Sequence, residues 1–426
     1  MKKYFLFFCC FLFASNIFPQ SQASDPFYFQ FASQQNRAKV YKWMVDTTIR
    51  QYLSEPAADS TEGNWNEAFW SIELLVYKND FVKKKLTEAW KKADSLSEYF
   101  QKNLIEVCYS VYPAEFKKPV NDLLNSTTSI PVFIRCAEYL LQADVALSTR
   151  DSIQTLIDIK FKDNNHPGLF VLQNRLASWN KTELLPPLND ILNKNFLANQ
   201  TVVYSFQRKD RNYPGIVVIR RPDGSFVKNK DSNYFYTSQL ARAVTNYPFY
   251  ITNGNTPQGI FRWTGFGISG LAFIGPTPNL QMVMPYEVKP SVFFNDTTLI
   301  NVEWQKEMYA SLLPASWKNY AGIYESFYAG AVGRSAIIMH GTTVDPAYYK
   351  GKSYYPQTPS LGCLCSYEEW NAKGMRVKSN QQQIDDALDS FDASNGYVIV
   401  VELNDTKKPV TIDEVKPFMS QAEKEK

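Results

Sequence analysis

Histidine is almost missing from this chain: among 426 residues there are two, His166 and His340. So few imidazoles leave little room for a multi-histidine metal centre, and each has to be weighed singly. Cysteine is scarce as well. Of six, Cys9 and Cys10 stand at the very start, and the remaining four, Cys108, Cys136, Cys363 and Cys365, are too few to staple a chain of this length. Beyond the first residues no apolar run is long enough to cross a bilayer, which takes roughly 20 residues. An excess of one charge is absent too. Without Lys2 and Lys3 the 45 basic residues become 43 against 42 acidic ones, so no field-driven attraction to nucleic acid is expected.

The N-terminus has the three parts of an export signal: Lys2 and Lys3, an apolar run from Tyr4 to Phe13, and Ser21-Gln22-Ala23 before a mature start at Ser24. Residues 1–23 are therefore read as a cleaved signal peptide. A lipid anchor at Cys9 or Cys10 would leave almost no hydrophobic region ahead of it.

From about Gln35 to Ile159 apolar residues recur at helical spacing. Three segments repeat one pattern: Phe69, Ile72, Val76; Leu104, Val107, Val111; and Phe133, Cys136, Leu140. Their separations are uneven, 35 residues and then 29, which suits either an irregular stack of HEAT-like helical hairpins or a plain bundle. Cys108 and Cys136 lie within these patterns as small core hydrophobes. The pattern fades past Phe161. His166 stands among the turn formers Asn164, Asn165, Pro167 and Gly168, and Pro186-Pro187 interrupts any helix. Residues 24–198 are thus expected to form a helical domain.

After Gln200 the runs from Thr201 to Phe206, Ile216 to Arg220 and Gly396 to Leu403 are β-branched and aromatic, with Pro222-Asp223-Gly224 as a turn. Residues 199–405 are expected to be mainly β, with helical interruptions near Val302 to Leu313 and after Ser366. The charged residues 406–426 are expected to be a tail, disordered towards its end. The fold class is α+β, an all-α half followed by a mostly β half.

The chemistry concentrates at two places. The strand-like run Ser335 to Met339 delivers His340, Gly341 and Thr342 at its end. Further on comes Ser360-Leu361-Gly362-Cys363, followed by Ser366 and Glu369 at capping-box spacing. That spacing predicts a helix N-terminus just after Cys363, whose amides would favour a thiolate while an imidazole takes the proton.

These residues resemble the L,D-transpeptidase catalytic family, the YkuD-like enzymes. The likeness rests on His340, on Ser360-Leu361-Gly362-Cys363, on Thr256-Pro257-Gln258-Gly259-Ile260-Phe261 upstream, and on a strand pair from Ile216 to Phe226. It covers roughly residues 200 to 405. The resemblance implies nucleophile for Cys363 and general base for His340, with Ser360, Leu361, Gly362 and the Gly341-Thr342 backbone shaping an oxyanion pocket. It also implies acyl transfer on peptidoglycan stem peptides in the periplasm, without metal or organic cofactor. An L,D-carboxypeptidase of the same fold, or a catalytically inactive periplasmic protein that binds or scaffolds the cell wall, is the alternative. Two positions depart from the family: Leu361 replaces its second histidine, and Cys365 its usual polar residue. An aromatic stretch from Trp304 to Tyr324 looks inserted and suggests a lid or substrate-selecting element, and the helical half suggests a recruiting surface for a protein partner.

Overall fold

The computed structural model describes residues 28–179 and 183–424, so the export signal expected at residues 1–23 lies outside the described residues. The first half is helical, as the periodicity predicts. Its helices are α1 (Gln34–Trp43, continued by a π-type stretch Met44–Gln51), α2 (Glu62–Leu75), α3 (Asp80–Trp90), α4 (Glu98–Val111), α5 (Lys117–Ser126), α6 (Ile130–Ala143), α7 (Leu147–Lys160) and α8 (Pro167–Ser178). Short polar side chains start several of them. Asn79 caps Val82 N, Ser97 caps Phe100 N and Ser129 caps Val132 N. His166 has the same duty, its Nδ1 accepting from Gly168 N at 3.0 Å at the start of α8.

Helices α2, α4, α6 and α8 pack side by side in sequence order, while α3, α5 and α7 form an outer row against them. The three repeated segments lie on α2, α4 and α6, and all of their residues except Val76 are buried. The first half is thus an inner and an outer row of packed helices. Cys108 and Cys136 are fully buried in it, and all four described cysteines carry free thiols.

The second half is a closed eight-stranded barrel. Its strands are β1 (Val202–Gln207), β2 (Gly215–Arg220), β3 (Thr237–Leu240), β4 (Gly259–Gly267), β5 (Asn279–Val283), β6 (Met339–His340), β7 (Leu364–Ser366) and β10 (Gly396–Glu402). Around the barrel the order is β1-β10-β4-β5-β6-β7-β3-β2; β1 with β10 and β6 with β7 are parallel, the rest antiparallel. A separate hairpin joins β8 (Glu368–Trp370) to β9 (Arg376–Ser379), and α13 (Asn380–Asp389) follows.

Alternate residues divide two apolar clusters. Val203, Phe261, Leu280, Met339, Leu364 and Val398 meet inside the barrel beneath Ile384 and Leu388 of α13. Tyr204, Val218, Ile260 and Ile399 point outward into a second cluster. That outer face is covered by α9 (Leu188–Leu192), α10 (Pro290–Phe294), α11 (Lys306–Ser311), α12 (Glu325–Ala331) and α14 (Ile412–Lys424). Burial on both faces explains why β1, β2 and β10 read as continuous apolar runs.

Three expectations change. The helix expected after Ser366 is instead β7 followed by β8. Leu364, Ser366, Glu368 and Trp370 are buried while Glu369 is exposed, a period of two, and the would-be cap Ser366 Oγ accepts from Gln239 Nε2 inside the barrel. The charged tail is helical through Lys424, because Val415, Met419 and Ala422 line one face and bury against the barrel. Arg208 fixes the start of that helix through bonds to the Glu414 carboxylate, Lys408 O and Pro409 O. Finally, the aromatic stretch is a wall and not a lid. Tyr309 and Trp317 are fully buried, and Tyr309 Oη accepts from Ile260 N at 2.7 Å and donates to Ile323 O at 2.6 Å.

Tyr309→Phe should therefore destabilise the fold by about 1–3 kcal/mol, since it strands a buried strand amide. Ile300→Ala, at an exposed position just ahead of that segment, should stay within ~0.5 kcal/mol. Denaturant titration of both variants checks the contrast.

Candidate functional site

The barrel brings the two sequence motifs to neighbouring strands. Met339 pairs with Leu364 and His340 with Cys365 across the parallel β6-β7 ladder, which Leu364 N to Ile338 O extends by one step. Met339 and Leu364 point inward, so His340, Cys363 and Cys365 share the outer face of the same strand pair. With strands ~4.8 Å apart and a rise of ~3.3 Å per residue, His340 and Cys363 are diagonal neighbours about 8 Å apart at Cα.

Cys363 is half-buried. Its sulfur accepts from Ile338 N at 3.5 Å and donates to Ala336 O at 3.6 Å. Burial pushes the thiol up to about 11, against the opposing pull of the Ile338 amide and the Arg334 guanidinium. His340 is 4% exposed, and burial drives its imidazole down to about 4. Its Nδ1 faces Gly341 O, which can only accept. Nδ1 therefore carries the proton and Nε2 keeps its lone pair, the tautomer a general base requires. Among the described residues the ring and the thiol are not hydrogen-bonded to each other; closing that gap requires the ring or the Cys363 loop to shift.

The loop before Cys363 is held from several sides. Ser360 Oγ accepts from Gly362 N at 3.1 Å and donates to Cys363 O at 2.8 Å. Thr256 Oγ1 donates to Gly362 O at 2.9 Å, so the Thr256-Pro257 motif closes directly onto the loop before Cys363. Gly362 has φ +116°, and a Cβ there would run into Arg334 Nη2 and Gly254 O; only glycine fits. Leu361 is exposed and does not enter the site. Cys365 is buried behind Cys363, beside Thr358 Oγ1, and its thiol is pushed up to about 12 by burial.

Behind His340 the chain is fixed by a carboxylate. Glu368 accepts from Thr342 N at 3.0 Å, from Thr277 Oγ1 and from Ser379 Oγ at 2.6 Å. A side chain at Gly341 would collide with the Glu368 carboxylate. The Thr342 amide is thus committed to Glu368 and the Thr342 carbonyl to Trp370 Nε1, at 2.9 Å. These residues shape the turn after His340 from behind.

Sequence reasoning passed over three groups. Arg334, 5% exposed, donates to the carbonyls of Phe249, Gly254 and Asn255. Glu287 accepts from Ala336 N at 2.7 Å and Met284 N at 3.0 Å beside the thiol, and burial raises its carboxyl. Glu368 was hidden inside an apparent capping box. The usable signal for Arg334 was a charged residue abutting the apolar run that ends in His340.

The helical half reaches the same place. The loop between β3 and β4 stacks Tyr247 on Tyr109 with ring centroids 4.1 Å apart, bonds Tyr250 Oη to Glu138, and bonds Asn253 Nδ2 to Glu106 Oε1 at 2.9 Å. Arg37 Nη2 of α1 donates to Thr343 O at 2.8 Å. The site lies at a seam, with helices supporting its loops. Among the described residues no three metal-binding side chains converge, and no helix is long and apolar enough to cross a membrane.

A buried neutral histidine has a measurable signature. Its folded pKa lies below the unfolded value near 6.5, so its contribution to stability is present above pH 6.5 and is lost as pH falls towards 4. Acidification across that window should cost the wild-type chain about 2 kcal/mol more than His340→Gln, read by urea unfolding at pH 7 and pH 4.5. Compared with known proteins, the chain matches no family model, no curated protein and no solved structure.

Proposed function

We propose that this chain is an exported cysteine acyltransferase acting on peptidoglycan stem peptides, in the manner of the L,D-transpeptidases it resembles. One observation carries the reading: the Thr256 Oγ1 to Gly362 O bond joins two of the resembling motifs at a half-exposed Cys363, one strand away from His340. The side-by-side packing of alternate helices supports the HEAT-like reading of the first half, and its contacts with the β3-β4 loop favour a role in orienting the site.

In the proposed reaction Cys363 Sγ attacks the carbonyl before a terminal D-amino acid, and its proton passes to His340 Nε2. Collapse of the tetrahedral intermediate returns that proton to the leaving amine and leaves a thioester on Cys363. Attack by a neighbouring stem-peptide amine gives a cross-link. Attack by water gives an L,D-carboxypeptidase.

A second reading, an inactive wall-binding protein, is favoured by the deep burial of His340 and by Leu361 at the position of the family's second histidine. Purified protein incubated with a disaccharide tetrapeptide should release a D-amino acid or form dimers, with a thioester adduct visible by intact mass. Cys363→Ala should reduce turnover at least ~10³-fold, as loss of a nucleophile does, with circular dichroism unchanged. Sacculus binding without product or adduct would establish the second reading.

A further inference from the structure

Arg334 is an unusual cation. It is 5% exposed, yet the hydrogen bonds it makes go to three neutral carbonyls, of Phe249, Gly254 and Asn255, and no described carboxylate forms an ion pair with it. Carbonyl dipoles orient a guanidinium without cancelling its charge, and a buried charge left in that state is costly. Its Nη2 lies against Gly362, close enough that a Cβ there would overlap it, and the next residue is Cys363. The two devices by which a cysteine is commonly ionised are otherwise absent. No helix begins behind Cys363, since β7 does, and His340 is held neutral by burial, so no imidazolium stands ready to pair with a thiolate.

We propose that Arg334 is the positioning residue that makes Cys363 a nucleophile: its guanidinium, without an ion-pair partner among the described residues and locked by three loop carbonyls beneath Gly362, is the counter-ion of the Cys363 thiolate. This rests on Cys363 being the reactive residue of the proposed function and adds how its anion is stabilised. When the thiol proton leaves, the anion forms beside a positive charge already in place, so no ion has to be brought in from water. The other titratable groups around the pair are Glu287, which disfavours the anion, Cys365 behind it, His340 on the adjacent strand, and Glu325, which reaches Arg334. None of these supplies a second cation.

The experiment measures the thiol itself, without peptidoglycan. The rate of alkylation by iodoacetamide is followed at pH 9 by mass at Cys363, in the full chain and in Arg334→Gln and Arg334→Lys. An opposite charge at this range moves a thiol by about 1–3 units. Because a more basic thiolate is also more nucleophilic, the rate should fall roughly 3- to 30-fold in Arg334→Gln. Arg334→Lys should recover most of the loss. A folded Arg334→Gln that reacts at the wild-type rate overturns the proposal. Should Arg334→Gln fail to fold, a second pair decides with Arg334 intact. Cys363→Asp, which installs a fixed anion, should melt at least as high at pH 7 as its neutral isostere Cys363→Asn; a lower melting temperature for Cys363→Asp overturns the assignment. Neither readout depends on acyl transfer, so failure here leaves the proposed reaction standing, and failure of that reaction leaves this measurement interpretable.

Discussion

The β3-β4 loop is the constraint on which the rest of the site depends. It must turn three carbonyls towards a buried guanidinium, and it holds that shape by burying Tyr247 and Tyr250 in the helical half and bonding Asn253 to Glu106. The loop ends in Thr256, which holds the carbonyl of Gly362. Helices, loop and the Cys363 segment are thereby one mechanical chain, and the hydrophobic cluster that begins in α1 runs without a break to Tyr349 and Tyr354 beyond β6. Two halves that differ in secondary structure share a core.

Electrostatically the site is arranged around neutral partners. His340 and Cys363 are each pushed by burial towards their uncharged forms, the imidazole down and the thiol up. A neutral imidazole with a free Nε2 is suited to accept a proton, and a thiol reluctant to ionise holds its proton until a base approaches. In the proposed reaction such a pair would exchange a proton on contact instead of resting as ions.

Much of this was legible in the residues. The helical period marked Phe69, Leu104 and Phe133 because an apolar stripe of a packed helix has to recur with its turns. Gly362 and Cys363 stood out through the Ser360-to-Cys363 motif and its spacing from His340. What stayed hidden was set by distant partners. Ser366 and Glu369 satisfy a local capping pattern, but strand pairing across the barrel outweighs it, and nothing near them in sequence announces Gln239 or Met339. The partners of Arg334 were hidden for the same reason, although its place beside an apolar run was visible: its three acceptors lie about eighty residues upstream. The charged tail resembled a disordered end because only one residue in three or four is apolar, which is enough for an amphipathic helix once the outer face of a barrel is available.

The position of β10 has a consequence for how the chain is made. It lies between β1 and β4, so residues 396–402 form the last stave and the ring stays open until they arrive. Until then β1 and β4 present two long apolar edges, the kind that pair with other chains. A ribosome that stalls upstream of Gly396 would release a sticky, gaping sheet, and the cell has every reason to degrade such fragments quickly.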